Sequence, residues 1–127
     1  MVPIFSLAGI AAAFVIYVWW KLSSRKLNKR DSKRIRALWA ALKHLNDPAM
    51  RVMQAEIIFC KALESAGYKG TMAEKLKKSG SRFPNEEALW KAHKLRNRIA
   101  HETGITVSGR DSANAMNAFW NGIEQLL

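Results

Sequence analysis

The distribution of hydrophobic and polar positions divides the chain into an apolar start and a longer part with helical periodicity. The stretch from Pro3 to Trp20, PIFSLAGIAAAFVIYVWW, contains no charged residue. As a helix it would span about 27 Å, close to the ~30 Å hydrocarbon core of a bilayer. Aromatic residues and then Lys21 end the stretch, whereas a cleaved signal peptide carries its positive charge before the apolar run. Residues 1–22 are therefore predicted to form a retained transmembrane helix.

After residue 22, apolar residues recur every three or four positions, as in amphipathic helices, and strand-like alternation is absent. Five segments begin at residues that favour the N-cap position, and Glu74 has the spacing of a capping box with one of them. The expected caps are Asp31, Asp47, Thr71, Asn85 and Ser108. The predicted fold is all-α, an N-terminal single transmembrane helix followed by a small four- to five-helix bundle.

Three parts are predicted along the chain. They are a transmembrane anchor over residues 1–22, a basic juxtamembrane segment with a first helix over residues 23–46, and a helical domain over residues 47–127. In the long helix that starts this domain, a row of apolar residues at helical spacing is predicted to face the core. The row consists of Met50, Met53, Ile57, Cys60 and Leu63.

The charge distribution also predicts how the chain is oriented in the membrane. The chain has 21 Lys and Arg against 10 Asp and Glu, a formal net charge of +11, and most of the excess lies between Lys21 and Lys43. A basic segment directly after an apolar helix favours the cytoplasmic side. We therefore expect a single-pass inner-membrane or plasma-membrane protein with its N-terminus outside and its C-terminal domain in the cytoplasm. The expected lipid contacts are the bilayer, through residues 3–22, and anionic lipid, through the basic segment, which alternatively attracts RNA phosphates.

Candidate chemistry is sparse over most of the sequence. Cys60 is the single cysteine, so the chain forms no internal disulfide. The sequence has no cluster with metal-ligand spacing and no glycine-rich loop that would cradle a phosphate. No metal and no cofactor are therefore expected, and nucleotide hydrolysis and covalent catalysis are poorly supported.

The segment LRNRIAHE, residues 95–102, carries the most distinctive pattern. At ~100° per residue, Trp90, His93, Asn97 and His101 share a helix face that is too polar for a core and too weakly charged for plain solvent, with Arg96 at its edge. In one interpretation this face is structural, and His101 interacts with the negative end of the helix. In the other, a second copy packed antiparallel about a two-fold axis brings two arginines and two histidines into one cleft.

Such a cleft has the chemistry to cleave RNA without a metal. An arginine fork binds phosphate and stabilises the charge that develops on it, and histidine exchanges protons near neutral pH. Within one helix, Arg96 and His101 lie ~140° apart and would not meet side by side. This interpretation therefore requires a homodimer.

The sequence RNRIAH resembles the Arg-polar-x-x-x-His motif of the HEPN superfamily (higher eukaryotes and prokaryotes nucleotide-binding domains). These are small helical-bundle domains, usually homodimeric, and many are metal-independent endoribonucleases. The resemblance implies catalytic roles for Arg96, Asn97 and His101, where arginine holds phosphate, asparagine orients and histidine acts as general acid or base. It extends in outline over residues 47–127. The stretch GYKGTMAEKLKK…FPNEEALWKAHKLRNRIAHE also resembles uncharacterised membrane-anchored bacterial HEPN-like proteins.

Residues beside the motif are further candidates, and the resemblance has a departure. His93, Lys94 and Arg98 lie next to the motif and are candidate substrate-binding residues. The toxin branch of the superfamily often has a tyrosine two residues after the histidine, whereas this chain has Thr103. Regulation by modification of that tyrosine is therefore not expected.

Three functional interpretations follow from the sequence. The first is a membrane-anchored, cytoplasm-facing HEPN-like homodimer that binds RNA and, where catalysis is retained, cleaves it without a metal. The second is a non-catalytic, membrane-tethered helical dimerisation or adaptor module, in which the polar face around His93 and Asn97 only builds an interface. The third makes the basic segment after residue 21 the functional element.

Overall fold

The computed structural model describes residues 4–127, with the side chains of residues 4, 5 and 22–24 left out. Within this range the chain is all-α, as predicted, with six α-helices and no strand. The helices are α1 (Ile4–Ser24), α2 (Lys29–Ala40), α3 (Pro48–Ser65), α4 (Met72–Ser79), α5 (Glu86–His101) and α6 (Gly109–Glu124). Short 3-10 turns at Ala41–His44 and Gly80–Arg82 follow α2 and α4.

The predicted transmembrane helix is the main correction. Among the described residues, no helix combines the length and the apolar character needed to cross a membrane. The prediction of an anchor over residues 1–22 is therefore wrong, and so are the single-pass localisation and orientation derived from it. Residues 1–3 of that segment lie outside the described residues.

Helix α3 lies at the centre of the bundle and packs against α2, α5 and α6. Its Phe59 is fully buried, with ring centroids 5.8 Å from both Phe83 and Phe119. Gly122 allows α6 to approach α3 closely, because a Cβ at this position would lie 2.9 Å from the Phe59 ring. The core therefore depends on one aromatic cluster and on a small residue facing it.

The predicted core row of α3 was largely on the wrong face. Met50 and Ile57 are 44% and 43% exposed, and Leu63 is the member of the row that is fully buried. Met53 and Cys60 are half-buried. The buried face consists instead of Val52, Ala55, Ile58, Phe59, Ala62 and Leu63. Because α3 has apolar residues around most of its circumference, helical spacing alone does not identify the face that α5 and α6 cover.

The basic segment of residues 23–46 contributes α2 to the bundle, where α2 packs against α3. Its helix begins at Lys29, earlier than predicted, because the Asn28 side chain accepts a hydrogen bond from the Asp31 backbone N–H at 2.8 Å and so takes the N-cap role. Ile35 is buried in the core, and Trp39 lies against Trp120 of α6 with ring centroids 5.1 Å apart.

The other four predicted caps are confirmed. Each accepts a hydrogen bond from a backbone N–H in the first turn of its helix, which satisfies a donor that the helix itself leaves free. The caps are Asp47 on α3, Thr71 on α4, Asn85 on α5 and Ser108 on α6.

Candidate functional site

All the residues singled out near LRNRIAHE lie on α5, and the structure distributes them over different faces. Asn85 caps the helix, Glu86 and Glu87 occupy its first turn, where acidic residues are favoured, and His101 is its last residue. The buried or half-buried members are His93, Arg96 and Asn97, and the exposed members are Lys94, Arg98 and His101.

The His93, Arg96 and Asn97 side chains meet a carboxylate from α3 that the sequence interpretation did not include. Glu56 Oε2 lies 2.9 Å from His93 Nδ1, and Glu56 Oε1 lies 3.4 Å from Arg96 Nε. Asn97 closes the ring, since its Nδ2 lies 3.4 Å from His93 Nε2 and its Oδ1 accepts from Arg96 Nη1 at 3.4 Å. We call these four residues the Glu56 network.

The contacts of the Glu56 network define one consistent set of proton positions. Asn97 Oδ1 accepts from Arg96, so the Asn97 amide nitrogen faces His93 Nε2 as a donor. His93 Nε2 must then be an acceptor, which leaves the ring proton on Nδ1, where it donates to Glu56. This tautomer is inferred from the hydrogen bonds, and it places the His93 ring between an amide and a carboxylate.

Burial explains why Glu56 needs these partners. The residue is only 5% exposed, and an ionised carboxylate removed from water is costly unless it is paired and hydrogen-bonded. Arg96 supplies the compensating positive charge, although its Nε is buried without an aligned hydrogen bond. The network therefore holds Arg96 at two points, because Glu56 forms an ion pair at Nε and Asn97 accepts a hydrogen bond from Nη1.

The Glu56 network borders a cavity of about 510 Å³ between α3, α5 and the start of α4. The Arg96 side chain is 31% exposed and lines this cavity together with Asn97. Lys61, Glu64 and Thr71 contribute further polar groups to its wall. The cavity thus presents a fixed arginine and an amide to anything that enters it.

A second charged cluster lies on the same cavity wall. Lys75 is only 2% exposed, and its Nζ lies 2.6 Å from Glu64 Oε1 and 3.0 Å from Cys60 Sγ. Burial by itself lowers the pKa of Lys75, but the hydrogen bonds to Cys60 and Glu64 outweigh it and raise that pKa above its usual value. The hydrogen bond from Lys75 also lowers the pKa of Glu64. Both groups are therefore held in their charged forms at neutral pH.

His101 is separate from both clusters. It is exposed at the end of α5, and its side chain makes no hydrogen bond or ion pair with the part of the chain that the structure describes. Arg96, by contrast, is oriented toward Glu56 on α3. Within one chain, the structure thus does not bring the two outer residues of the Arg-Asn-x-x-x-His motif into contact. Their composite site in a dimer stays a prediction.

No family model, curated protein or solved structure matches this chain. Function is consequently inferred from the geometry of α5 and its neighbours. Among residues 4–127, no group of three or more His, Cys, Asp or Glu side chains is arranged to hold a metal ion.

Glu56 is the site residue that the sequence interpretation missed, and the signal for it was present. It stands four residues after Val52 and three before Phe59, at the edge of the buried face of α3. A charged residue at such a position is rarely buried unless it has a partner. An acid inside the run VMQAEIIFC thus indicates a buried ion pair, although the sequence does not reveal that its partners lie on α5.

Proposed function

We propose that this chain is a HEPN-like RNA-binding domain that acts as a homodimer and cleaves RNA without a metal. Arg96 binds the scissile phosphate, Asn97 orients the Arg96 guanidinium, and His101 transfers the proton. The observation that carries the proposal is the fixation of Arg96 by Glu56 and Asn97 at the edge of an open cavity. A positioned guanidinium loses little conformational entropy when it binds a phosphate.

The position of His101 supports a site completed by a second copy. It lies five residues after Arg96, so the two side chains project ~140° apart around α5. An exposed histidine at a helix end is accessible to a substrate held by the neighbouring chain's arginine. A two-fold axis close to the end of α5 would pair each Arg96 with the opposite His101.

The surface of α2 supports a polyanionic substrate. Five cations lie on its solvent side, and none of them has a carboxylate within 4 Å among the described residues. They are Lys29, Arg30, Lys33, Arg34 and Arg36. Two of them occupy the first turn, where positive charge is unfavourable, so helix stability does not account for their placement. Electrostatic attraction to phosphates does account for it.

A second candidate function is a non-catalytic dimerisation module. The observation that favours it is the exposed apolar side chain of Ile57 on α3, which lines the same cavity as the Glu56 network. An exposed apolar surface that is rimmed by polar groups is a feature of protein interfaces. In this alternative the network only holds α3 and α5 together.

The deciding experiment is cleavage of mixed RNA by the full chain in EDTA, with Arg96→Ala and His101→Ala beside it. His44→Ala serves as the matched control, because His44 is also exposed but lies in the 3-10 turn after α2. We expect products with 2′,3′-cyclic phosphate ends from the parent and the control, and a loss of at least ~100-fold in both motif variants. A folded dimer without cleavage, indistinguishable from its variants, would favour the dimerisation module.

A further inference from the structure

A polar groove runs between α5 and α6, on the side of α5 that faces away from Arg96. It has a volume of about 500 Å³, and alanines form its floor, including the buried Ala92, Ala115 and Ala118. Because these side chains are short, the floor lies well below the two helix rims. The groove is therefore a surface channel and not a closed cavity.

The two rims carry matched rows of different chemistry. The α5 rim presents the cations Lys91, Lys94 and Arg98, which follow one another at intervals of three and four residues. The α6 rim presents amides at the same intervals, and all three are exposed. These amides are Asn114, Asn117 and Asn121. Each amide supplies both hydrogen-bond donors and an acceptor.

The three asparagines have no structural role that explains them. Their side chains make no hydrogen bond with the described residues, and asparagine is a poorer helix former than alanine. Asn85, at the end of the groove, does act as the cap of α5 through the Ala88 backbone N–H. A row of unbonded amides on one helix face instead suits a ligand whose edges carry donors and acceptors.

The charge along the groove favours an anion. Lys91 and Lys94 have no carboxylate within 4 Å in the described chain, and Arg98 contacts the exposed Glu102 at 3.4 Å. Asp111 is the acidic residue among those that line the groove, so the lining cations outnumber it by three to one. A ligand that fits has phosphates along one side and polar base edges along the other.

We propose that the α5–α6 groove binds a single RNA strand, with its phosphates on the cations of α5 and its base edges on the amides of α6. Single strands present unpaired base edges, whereas a duplex hides them and is too wide to enter between two adjacent helices. No aromatic residue lines the groove, so amide hydrogen bonds and not stacking provide the recognition.

The candidate substrate-binding residues of α5 lie on two separate faces of the helix. Lys94 and Arg98 lie in the groove, and His93 belongs to the Glu56 network on another face. His101 follows Arg98 by three residues and lies just beyond this rim, at the end of α5. A strand lying along this rim leads to His101, and this last step rests on the proposed nuclease function.

The test measures binding of a fluorescein-labelled 12-nucleotide single-stranded RNA to the full chain by anisotropy, in EDTA and at several salt concentrations. The first variant is the triple change Asn114→Ala, Asn117→Ala and Asn121→Ala, and its control is the exposed Asn46→Ala. The second is Lys91→Gln with Lys94→Gln, and its control is the exposed pair Lys69→Gln with Lys77→Gln. Alanine favours helix more than asparagine does, so the triple variant retains its fold.

We expect the triple variant to bind at least tenfold more weakly and to lose preference between RNA sequences. The double lysine variant should lower the slope of log K against log salt by about 1.4, because ~0.7 ion is released per phosphate contact in single strands. Unchanged affinity in the triple variant overturns the proposal. A loss of poly-glutamate binding without a loss of RNA binding also overturns it, because the groove would then accept acidic peptide.

The same variants separate this proposal from the nuclease. His101→Ala should retain RNA binding while it loses cleavage. If no RNA is cleaved but the groove variants still weaken binding, the groove proposal holds and the proposed nuclease fails. If both groove variants still cleave RNA and bind it with unchanged affinity, the groove proposal fails and the proposed nuclease holds.

Discussion

The substitution Glu56→Gln tests whether the negative charge of Glu56 in the Glu56 network stabilises the fold. Glu56 is 5% exposed and accepts from His93 Nδ1 at 2.9 Å while facing Arg96 Nε at 3.4 Å. Glutamine keeps the size of the side chain, but it removes the negative charge and turns one acceptor into a donor. Its amide nitrogen must then face either the imidazole N–H or the guanidinium N–H.

Two contributions set the expected loss of stability. A hydrogen bond to a charged group contributes about 1.5–3 kcal/mol, and a buried ion pair that loses one partner costs about 3–5 kcal/mol. Arg96 is 31% exposed, so water compensates part of its lost charge partner, and the lower end of these ranges applies. We therefore expect Glu56→Gln to destabilise the fold by about 2–3 kcal/mol.

Urea unfolding followed by circular dichroism measures this loss. With a typical slope of ~1–3 kcal/mol per molar urea, the midpoint should fall by about 0.7–3 M while the slope itself stays constant. Glu102→Gln is the matched control, because Glu102 also contacts an arginine at 3.4 Å but both partners are exposed. The control should cost at most about 0.5 kcal/mol. Equal midpoints for the two variants would refute the inferred role of Glu56.

Two further predictions concern the core and the charged cavity wall. Gly122→Ala should destabilise the fold by about 1–3 kcal/mol, because the new Cβ would lie 2.9 Å from the Phe59 ring, although alanine has the better helix propensity. The control is Gly109→Ala, where a Cβ meets nothing within 4 Å, and it should be neutral or stabilising in the same urea assay. The parent should lose stability more steeply than Lys75→Met between pH 5 and pH 3, as compared by urea midpoints. Because folding lowers the pKa of Glu64, the ionised Glu64 stabilises the fold fully above its unfolded-state pKa, and this stabilisation disappears as the pH falls through its folded-state pKa. If the stability of the parent and of Lys75→Met fell with the same slope, the Glu64–Lys75 pair would not be the cause.

The parts of the fold that the sequence predicted well depend on local chemistry. Asp47, Thr71, Asn85 and Ser108 cap their helices because each side chain reaches a backbone N–H two or three residues ahead, which the sequence states directly. The α2 cap was misplaced by three residues for the same kind of reason. Asn28 and Asp31 are both good caps, and the structure uses the earlier one.

Predictions that depended on which helices meet were less successful. Met50 and Ile57 have helical spacing equal to that of Val52 and Phe59, so only the positions of α5 and α6 decide which row is buried. The Glu56–His93 contact joins residues 37 positions apart, and no local pattern predicts it. The apolar run of α1 shows a related limit, because composition alone suggested a membrane span that the described helices do not support.

The arrangement of Arg96 and His101 leads to one prediction that separates a site shared between subunits from a site within one subunit. Arg96 is held toward α3 by Glu56, and the His101 side chain makes no hydrogen bond or ion pair with the described residues, so a shared site takes one residue from each copy. Mixing inactive Arg96→Ala and His101→Ala chains after partial unfolding should then restore about one quarter of the parental cleavage. Random pairing makes about half of the dimers mixed, and each mixed dimer has one intact site of two. A site formed within a single chain regains no activity on mixing, because no chain in the mixture carries both residues.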